Sequence, residues 1–291
     1  MVFGYNKTSR RWVFSSSRRA AIANSALTLV RTTPHALFSL LFPDDCRICA
    51  RPLREISRIP VCLACLKAPE PFRAEYFCIS CRTPFQNGFP LDSEGRCALC
   101  RSGLRAFDAA YSFGAYGGTL RELIHLLKYE GIQPLALPLG RLLLRSFPRD
   151  EALDFIVPVP LHWRRRWKRG FNQSELLAGV LAGATGITVR RPLGRTHATA
   201  TQAGLSNSER RRNVARAFHC RRPEIVSGKR ILLVDDVMTT GSTATACATA
   251  LKRAGAARVV LLTVARADRR FAGGASGAAD SMVRGNVRNG E

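Results

Sequence analysis

The sequence predicts an α/β protein in which helices flank a mainly parallel β-sheet, with a small cysteine-rich module in front of it. Two observations support this fold class. Residues 231–234 have the branched apolar composition of a strand buried on both faces, residues 244–254 are rich in helix formers, and residues 259–262 form a second apolar run. This is the order of a parallel βαβ unit. Ahead of it, four C-x-x-C pairs lie between residues 46 and 100, a spacing typical of small metal-binding modules.

Length and charge limit the classes of protein that the chain can belong to. The chain has 291 residues, of which 46% are hydrophobic, so it can form one substantial core and a smaller module. Its 45 Lys and Arg residues against 21 Asp and Glu residues give a net charge of +24. Such a surface attracts polyanions, and nucleic acid, phosphorylated metabolites and anionic membranes all qualify. A solvated arginine-rich surface with no dedicated polyanion site is an equal alternative.

The first segment, residues 1–43, carries six Lys and Arg residues and no acid. We expect a disordered basic start and a short amphipathic helix from about Ala20. The longest apolar stretch, residues 36–42, contains a serine and is far too short to span a bilayer. We therefore expect no transmembrane segment and a cytoplasmic location, with an organellar transit peptide as the alternative.

Residues 44–103 form the predicted cysteine module, and their four C-x-x-C pairs fit two structural zinc sites of four cysteines each, with Zn–S bonds of about 2.3 Å. Pairing in sequence order is favoured. The alternatives left open are an interleaved pairing in which Cys46 and Cys49 join Cys78 and Cys81, disulfides, and an iron–sulfur cluster. The predicted zinc ligands are Cys46, Cys49, Cys62, Cys65, Cys78, Cys81, Cys97 and Cys100. Cys220 and Cys247 stand outside the motif, and Cys247 is expected to be a buried small hydrophobe.

Residues 104–266 have the pattern of the α/β domain. Residues 109–116 predict a strand, and apolar residues spaced i, i+3, i+4 and i+7 from Leu120 predict an amphipathic helix. Lys128 lies on or near that helix, either as a site residue or as a solvated one. A second helix starts at Pro134, and residues 154–160 predict a strand that ends in two prolines. Residues 267–291 have no apolar periodicity and are expected to be disordered.

A diol-and-phosphate site is predicted where the strand at residues 231–234 ends. Asp235 and Asp236 can accept hydrogen bonds from two vicinal hydroxyls, and the small-residue segment that follows can bind a phosphate at a helix N-terminus. No G-x-x-x-x-G-K-[ST] motif and no helix-opening G-x-G-x-x-G motif is present, which disfavours a nucleoside-triphosphatase or a dinucleotide-binding protein. An ordinary polar turn is the alternative. The segment comprises Val237, Met238, Thr239, Thr240, Gly241, Ser242 and Thr243.

Two further segments have compositions that suit anion binding. Residues 164–169 place five cations around Trp167, and such a cluster can bind a diphosphate or a nucleic-acid backbone while Trp163 or Trp167 stacks on a base. A solvated basic turn is the alternative there. Residues 194–213 are a long polar stretch, and such a loop is either functional or disordered.

Residues 231–243 resemble the phosphoribosyl-diphosphate signature of type I phosphoribosyltransferases. Other segments narrow the resemblance to the ComF family, also described as GntX-like, over roughly residues 43–266. They are Pro158-Val159-Pro160-Leu161-His162, Arg169-Gly170-Phe171-Asn172-Gln173, and the spaced set Arg195, Gln202, Leu205, Arg211, Asn213 and Phe218.

This resemblance implies a type I phosphoribosyltransferase fold behind a double zinc ribbon, with phosphoribosyl diphosphate bound together with Mg²⁺. It makes Asp235 and Asp236 the catalytic residues and residues 239–243 the 5′-phosphate loop. It makes residues 194–213 a flexible lid, and it suggests a cis peptide around residues 160–162. The remaining implied substrate-binding residues are Pro160, Leu161, His162, Arg164, Arg165, Arg169 and Lys128.

The biological role implied by the family is DNA uptake in natural transformation, with single-stranded DNA and the uptake machinery as partners. No residue identifies an acceptor for the phosphoribosyl group. The alternative function is a non-catalytic single-stranded-DNA-binding protein that uses the fold to sense a ligand. The oligomeric state stays open.

Overall fold

A computed structural model of the chain describes residues 45–53, 57–85, 87–103, 105–195 and 217–267. The backbone divides into two compact units, residues 1–60 and 61–291. The expected helix from Ala20, most of the expected lid and the tail beyond residue 267 lie outside the described residues. The predicted domain boundaries near residues 43 and 103 stay predictions.

The first unit is described over one cysteine turn and the chain that follows it. Asp45 and Pro52 form an antiparallel bridge, and the turn between them is closed by hydrogen bonds from Cys46 N to Arg51 O at 2.9 Å and from Ala50 N to Cys46 O at 2.8 Å. Ala50 takes a φ of 54°. Hydrogen bonds of its own backbone thus hold this turn.

The second unit contains all the described helices and strands. In chain order they are α1 (Leu63–Lys67), β1 (Tyr76–Phe77), β2 (Pro84–Phe85), α2 (Ala98–Arg101), β3 (Ala109–Ala115), α3 (Gly118–Tyr129), a 3-10 turn (Gln133–Leu135), α4 (Ala136–Arg145), β4 (Phe155–Pro158), α5 (Trp163–Arg169), α6 (Gln173–Thr185), β5 (Leu193–Arg195), β6 (Phe218–Cys220), α7 (Pro223–Val226), β7 (Arg230–Met238), α8 (Ser242–Arg253) and β8 (Arg258–Arg266).

The central sheet has the strand order β3-β8-β7-β4. Its three strand pairs are all parallel, and Ile231 to Val234 of β7 lie opposite Val259 to Leu262 of β8. These eight residues are fully buried. The predicted parallel α/β sheet is therefore confirmed, and burying each such side chain contributes roughly 1.5–3 kcal/mol.

Helices cover both faces of this sheet, as the apolar strands require. Helix α8 packs on β7 and β8, while α4 and α6 pack on one another and on the sheet. Ile231 and Leu233 belong to the core cluster that includes α8. Since alternate residues of a strand point to opposite faces, Leu232 and Val234 face the other helical layer.

The cysteine-bearing part of this unit shares the α8 core. Cys78, Cys81 and Cys97 belong to the same buried cluster as Val157 and Leu251. The short antiparallel pair β1–β2 carries the turn from Cys78 to Arg82, and Arg82 takes a φ of 51°. Among the described residues, no helix has the length and apolar character needed to cross a bilayer.

Candidate functional site

The two acids predicted from the sequence lie in β7, which continues beyond its apolar half to Met238. Asp235 Oδ1 accepts hydrogen bonds from Ser174 Oγ and from the backbone N of Asp236, both at 2.9 Å. Asp236 is only 4% exposed. Its Oδ1 accepts from Val237 N at 2.7 Å, and its Oδ2 lies 2.8 Å from Lys128 Nζ.

The electrostatics of this pair follow from its burial. Burial and the neighbouring Asp236 carboxylate together raise the pKa of Asp235 to about 7. Burial also acts to lower the pKa of Lys128, but attraction to Asp236 more than offsets that effect, so the Lys128 pKa is raised. The site therefore holds one lysine cation against two carboxylates, and a second cation would relieve the remaining negative charge.

The segment after β7 forms the predicted turn into a helix. We call residues 239–243 the phosphate loop. Gly241 takes the left-handed φ of 79° immediately before α8, a conformation that favours glycine. Thr240 Oγ1 lies 2.8 Å from Ser242 Oγ, and α8 has no acid in its first turn. The helix N-terminus and the loop hydroxyls thus present donors suited to an anion.

Asp235 and the phosphate loop border one open cleft with about 320 Å³ of empty volume. Its walls come from the end of β7, the loop, the start of α8 and two residues of β8, namely Asp235, Val237, Met238, Thr239, Thr240, Gly241, Ser242, Thr243, Ala244, Leu261 and Thr263. A ligand that carries both hydroxyls and a phosphate can therefore contact both halves of the predicted site.

The segment from Arg169 to Gln173 fixes the position of α6 beside the acids. Gly170 takes a φ of 78° and ends α5. Asn172 donates to Val159 O at 3.0 Å and accepts from Ser174 N at 3.1 Å, which caps α6. Ser174 then reaches Asp235. Sequence reasoning missed Ser174, because its contact depends on how α6 packs against β7.

Residues 160–169 take a form that the sequence did not predict. Residues 164–169 belong to a helix rather than to a basic turn, because His162 caps α5 by accepting from Arg164 N at 3.2 Å. Burial lowers the pKa of His162, and the charges of Arg195 and Arg164 add to that effect. The described residues contain no cis peptide, so the cis bond expected around residues 160–162 is absent. His162 has an extended backbone, with ψ 140°, at the N-cap of α5.

Among the described contacts, the arginines predicted to bind the diphosphate interact with residues other than the two acids. Arg164 stacks on Trp163, with its guanidinium carbon 5.2 Å from the ring centroid. Arg169 lies 5.2 Å from the Tyr129 ring centroid and donates to Gln173 Oε1 at 2.8 Å. Arg165 is exposed, and Pro160 and Leu161 are half-buried. Their assignment to the diphosphate stays a prediction.

Arg195, at the end of β5, is a further residue beside the acids. Its guanidinium carbon lies 5.0 Å from the Phe218 ring centroid. Burial lowers the pKa of Arg195 and the charge of Arg165 adds to this, while Cys247 and Asp235 act in the opposite direction. Cys247 is fully buried, as predicted. The other members of the spaced set, at positions 202, 205, 211 and 213, lie outside the described residues.

We call the predicted ligands Cys46, Cys49, Cys62 and Cys65 the first cysteine group, and Cys78, Cys81, Cys97 and Cys100 the second cysteine group. In the second cysteine group the four sulfur atoms lie within 4.8 Å of one another. This grouping is the one that sequential pairing predicts for these four cysteines.

The second cysteine group has the dimensions of a tetrahedral zinc site. Cys81 Sγ and Cys97 Sγ are 3.7 Å apart, whereas a disulfide requires about 2.05 Å. Four ligands at about 2.3 Å from a tetrahedral centre lie about 3.8 Å from one another. Cys97 N also donates to Cys78 Sγ at 3.3 Å, a bond that stabilises a thiolate. Four thiolates in this arrangement can hold a structural Zn²⁺.

Comparisons with known proteins agree with this geometry. The family model "Phosphoribosyl transferase domain" matches residues 177–282. DNA utilization protein YhgH of Salmonella typhi is 37% identical over 234 residues, which cover 78% of this chain and 99% of the relative. The YhgH protein of Escherichia coli strain K12 is 34% identical over 240 residues, with the same shares of both chains. Competence protein F of Haemophilus influenzae is 33% identical over 179 residues, covering 59% of this chain and 78% of the relative.

Solved structures show a more distant likeness. The glutamine phosphoribosylpyrophosphate amidotransferase from B. subtilis, complexed with ADP and GMP, is 24% identical with a TM-score of 0.32. The match covers 45% of this chain and 26% of that protein. This chain therefore spans about a quarter of that protein's length.

Proposed function

The chain belongs to the ComF family, and on that premise we propose that it binds phosphoribosyl diphosphate with Mg²⁺ and acts in DNA uptake. The names of its relatives, competence protein F and DNA utilization protein, support the link to DNA. A cytoplasmic location belongs to the proposal, because the cysteines of the second cysteine group are free thiols and a reducing compartment keeps thiols in that form.

One observation carries the ligand proposal. Asp235 and the whole phosphate loop border the same cleft, and Asp236 follows Asp235 directly at the carboxyl end of a central parallel strand. Ligands bind such sheets at that edge. Phosphoribosyl diphosphate has a ribose diol for the carboxylates and a 5′-phosphate for the loop, so a single molecule satisfies both parts.

Mg²⁺ suits the acidic half of the cleft. Carboxylate oxygens are the ligands that this ion prefers, and burial together with the neighbouring Asp236 carboxylate raises the pKa of Asp235. When bound, Mg²⁺ would neutralise charge on the diphosphate and on the carboxylates. Asp235 and Asp236 are the residues that would hold it, directly or through the ribose hydroxyls.

Phosphoribosyl transfer is the reaction that these residues can assist. Loss of diphosphate places positive charge on the ribose ring, and carboxylates held in a low-dielectric cleft stabilise such charge. Lys128 balances the charge of Asp236 through their 2.8 Å contact. Ser174 orients Asp235 by donating to its Oδ1. The acceptor of the phosphoribosyl group is left unassigned.

Calorimetric titration tests the ligand proposal. Phosphoribosyl diphosphate with Mg²⁺ is titrated into the zinc-loaded wild type and into the Asp235→Asn/Asp236→Asn variant. We expect micromolar binding that the variant loses. Asp154→Asn is the matched control, since Asp154 pairs with Arg230 at the opposite edge of the sheet, at 3.2 Å, and should bind as the wild type does. Absence of binding to the folded wild type would contradict the proposal.

A second candidate function, binding of single-stranded DNA, is favoured by helix α5. None of its residues is buried, and Trp163 and Trp167 are 60% and 87% exposed. Their i, i+4 spacing puts both indoles on one helix face, between arginines and a lysine. Aromatic rings stack on bases, and cations bind the phosphate backbone.

Fluorescence titration with a short oligonucleotide tests this second function. Trp167→Ala should weaken binding by roughly 1–3 kcal/mol, and Arg164→Ala/Arg165→Ala should reduce the salt dependence of affinity. Arg141→Ala/Arg149→Ala, which removes two exposed arginines elsewhere, is the charge-matched control. An affinity for the oligonucleotide that does not change with salt concentration would exclude this function.

A further inference from the structure

A buried arginine contacts the second cysteine group from the last residue of the sheet. Arg266 ends β8 and is 3% exposed. Its Nη1 donates to Cys81 O at 2.7 Å, and its Nη2 donates to Thr83 Oγ1. Thr83 is fully buried, and its Oγ1 lies 2.8 Å from Cys81 Sγ. The hydroxyl of Thr83 therefore links Arg266 to Cys81, a predicted zinc ligand.

The direction of these hydrogen bonds follows from their chemistry. A guanidinium can only donate, so Thr83 Oγ1 accepts from Arg266 and has its single hydrogen left for Cys81 Sγ. A sulfur that accepts a hydrogen bond is favoured as a thiolate, which is the form that binds zinc. The hydrogen bond from Arg266 thus orients the Thr83 hydroxyl so that it donates to the sulfur of Cys81.

Charge also connects Arg266 with the metal. Four thiolates around Zn²⁺ carry a net charge of −2, and a buried anionic centre is stabilised by nearby cations. Arg266 places a buried cation beside Cys81, through its hydrogen bonds to Cys81 O and Thr83 Oγ1.

On the loop side, the backbone around Arg266 contacts Met238, the residue that precedes the phosphate loop. Arg266 lies opposite Met238 in the parallel register of β7 and β8, and Ala267 N donates to Met238 O at 2.9 Å. A Cβ at Gly241 would stand 3.6 Å from Met238 Sδ and 4.0 Å from the Phe107 ring. Met238 and Phe107 belong to the core cluster that contains Cys81, so the residues beside the loop share one buried core with this predicted zinc ligand.

We propose that Arg266 is a positioning residue that couples zinc occupancy of the second cysteine group to the order of the phosphate loop. Thr83 makes the connection on the metal side, and Met238 makes it on the loop side. The coupling itself does not depend on which anion the loop binds. The effect of the coupling on phosphoribosyl diphosphate rests on the proposed function. If the loop binds this ligand, zinc and the ligand would each increase the affinity for the other, because thermodynamic coupling is reciprocal.

The metal side is tested by zinc competition against a chromophoric chelator, without any phosphate ligand. Thr83→Val should lower the affinity for one of the two zinc ions by roughly 10–100-fold, which is the usual effect of losing a hydrogen bond to a metal ligand. Thr83→Ser keeps the hydroxyl and should retain wild-type affinity. Thr185→Val, whose hydroxyl donates to Leu181 O within α6, is the control. Equal zinc affinity in the Val and Ser variants would overturn the proposal.

The loop side is tested by hydrogen exchange of the full chain, again without ligand. In Cys100→Ser and in Arg266→Gln, peptides covering residues 238–243 should exchange at least tenfold faster than in the zinc-loaded wild type. Cys49→Ser, which alters the first cysteine group, should leave them unchanged. If Cys100→Ser does not fold, zinc-loaded Thr83→Val provides the same comparison. Unchanged exchange in the folded second-group variants would refute the coupling, whatever the outcome of the titration with phosphoribosyl diphosphate.

Discussion

At the scale of single residues, the site was predictable where its members are contiguous in sequence. Asp235, Asp236 and the phosphate loop follow one another, so strand and turn chemistry alone placed them together. Ser174 and Lys128 come from other helices, and the Ser174–Asp235 bond spans 61 positions. Which helix residue reaches a strand end depends on tertiary packing, and a single sequence carries no local signal for that.

The raised pKa of Asp235 predicts how stability changes with pH. The folded state holds this proton more tightly than the unfolded chain does, so stability is lost as pH rises from about 4 through about 7. Asp235→Asn keeps an oxygen that can accept from Ser174 but removes the titration. In magnesium-free buffer the variant should be more stable than the wild type at pH 8 by roughly 2–4 kcal/mol, with the difference vanishing near pH 4. Urea unfolding across this range measures it.

Asp154 provides a control, because its contribution to stability should change with pH in the opposite direction. Hydrogen bonding from Arg230 lowers the pKa of Asp154, so its contribution is present at neutral pH and is lost as pH falls through the folded pKa. Asp154→Asn should therefore reduce stability at pH 8 and have less effect in acid. If Asp235→Asn lost stability at pH 8 as well, the proposed ionisation of the site would be wrong.

Lys128 is predicted to supply the positive charge that stabilises two adjacent carboxylates in the folded state. Its side chain is 15% exposed and that of Asp236 is 5% exposed, so Lys128→Met leaves a buried carboxylate uncompensated, at a cost of about 3–5 kcal/mol. Added Mg²⁺ should restore more stability to this variant than to the wild type, because the ion supplies the missing charge. Thermal melting over a magnesium series measures both effects.

Lys252 is the matched control for Lys128. It contacts Asp108 at the same distance of 2.8 Å, but each side chain is 31% exposed, and such a pair contributes only about 0–1 kcal/mol. Lys252→Met should therefore lower the melting temperature little and show no added response to magnesium. Similar losses in the two variants would argue against a special role for Lys128.

At the scale of helices and strands, prediction succeeded where one face of an element is apolar. The stripe that begins at Leu120 became α3, and the apolar runs became β7 and β8 with their ends extended by a few residues. Helix α5 has no apolar stripe and buries no residue. Its helical form depends on the cap at His162 and the end at Gly170. Each of these signals involves only one or two residues, whereas the other elements show a repeating apolar pattern.

Helix packing makes a prediction at Gly140. A Cβ at this position of α4 would lie 2.5 Å from Val180 Cγ1 and 2.7 Å from Val180 Cβ, on α6. Gly140→Ala must push the two helices apart, so we expect a loss of about 1–3 kcal/mol despite the better helix propensity of alanine. Gly179→Ala, on α6 with nothing within 4 Å of its added Cβ, should instead gain about 0.5–1 kcal/mol. Chemical denaturation measures both values, and a stabilised Gly140→Ala would mean that the helices are not in close contact.

At the scale of the molecule, the sequence suggested a zinc module standing ahead of a separate α/β domain. Changes of composition near residue 103 predict that boundary, because each segment has its own local pattern. The structure places Cys78, Cys81 and Cys97 in one buried cluster with Leu233, Leu251 and other sheet and helix residues. Shared burial of this kind depends on long-range contacts, and composition along the chain contains no information about it.

This shared core predicts that zinc loss and sheet unfolding form one transition over residues 61–267. Apolar side chains from both parts pack on one another, so neither part can lose its structure without exposing the other's core. Heating should release zinc from the second cysteine group at the temperature at which the helical circular-dichroism signal is lost. Simultaneous recording of circular dichroism and of a zinc-sensitive dye measures the two events. Cys100→Ser should lower the melting temperature of the whole sheet, whereas an independent module would release its zinc at a separate, lower temperature and leave the sheet intact.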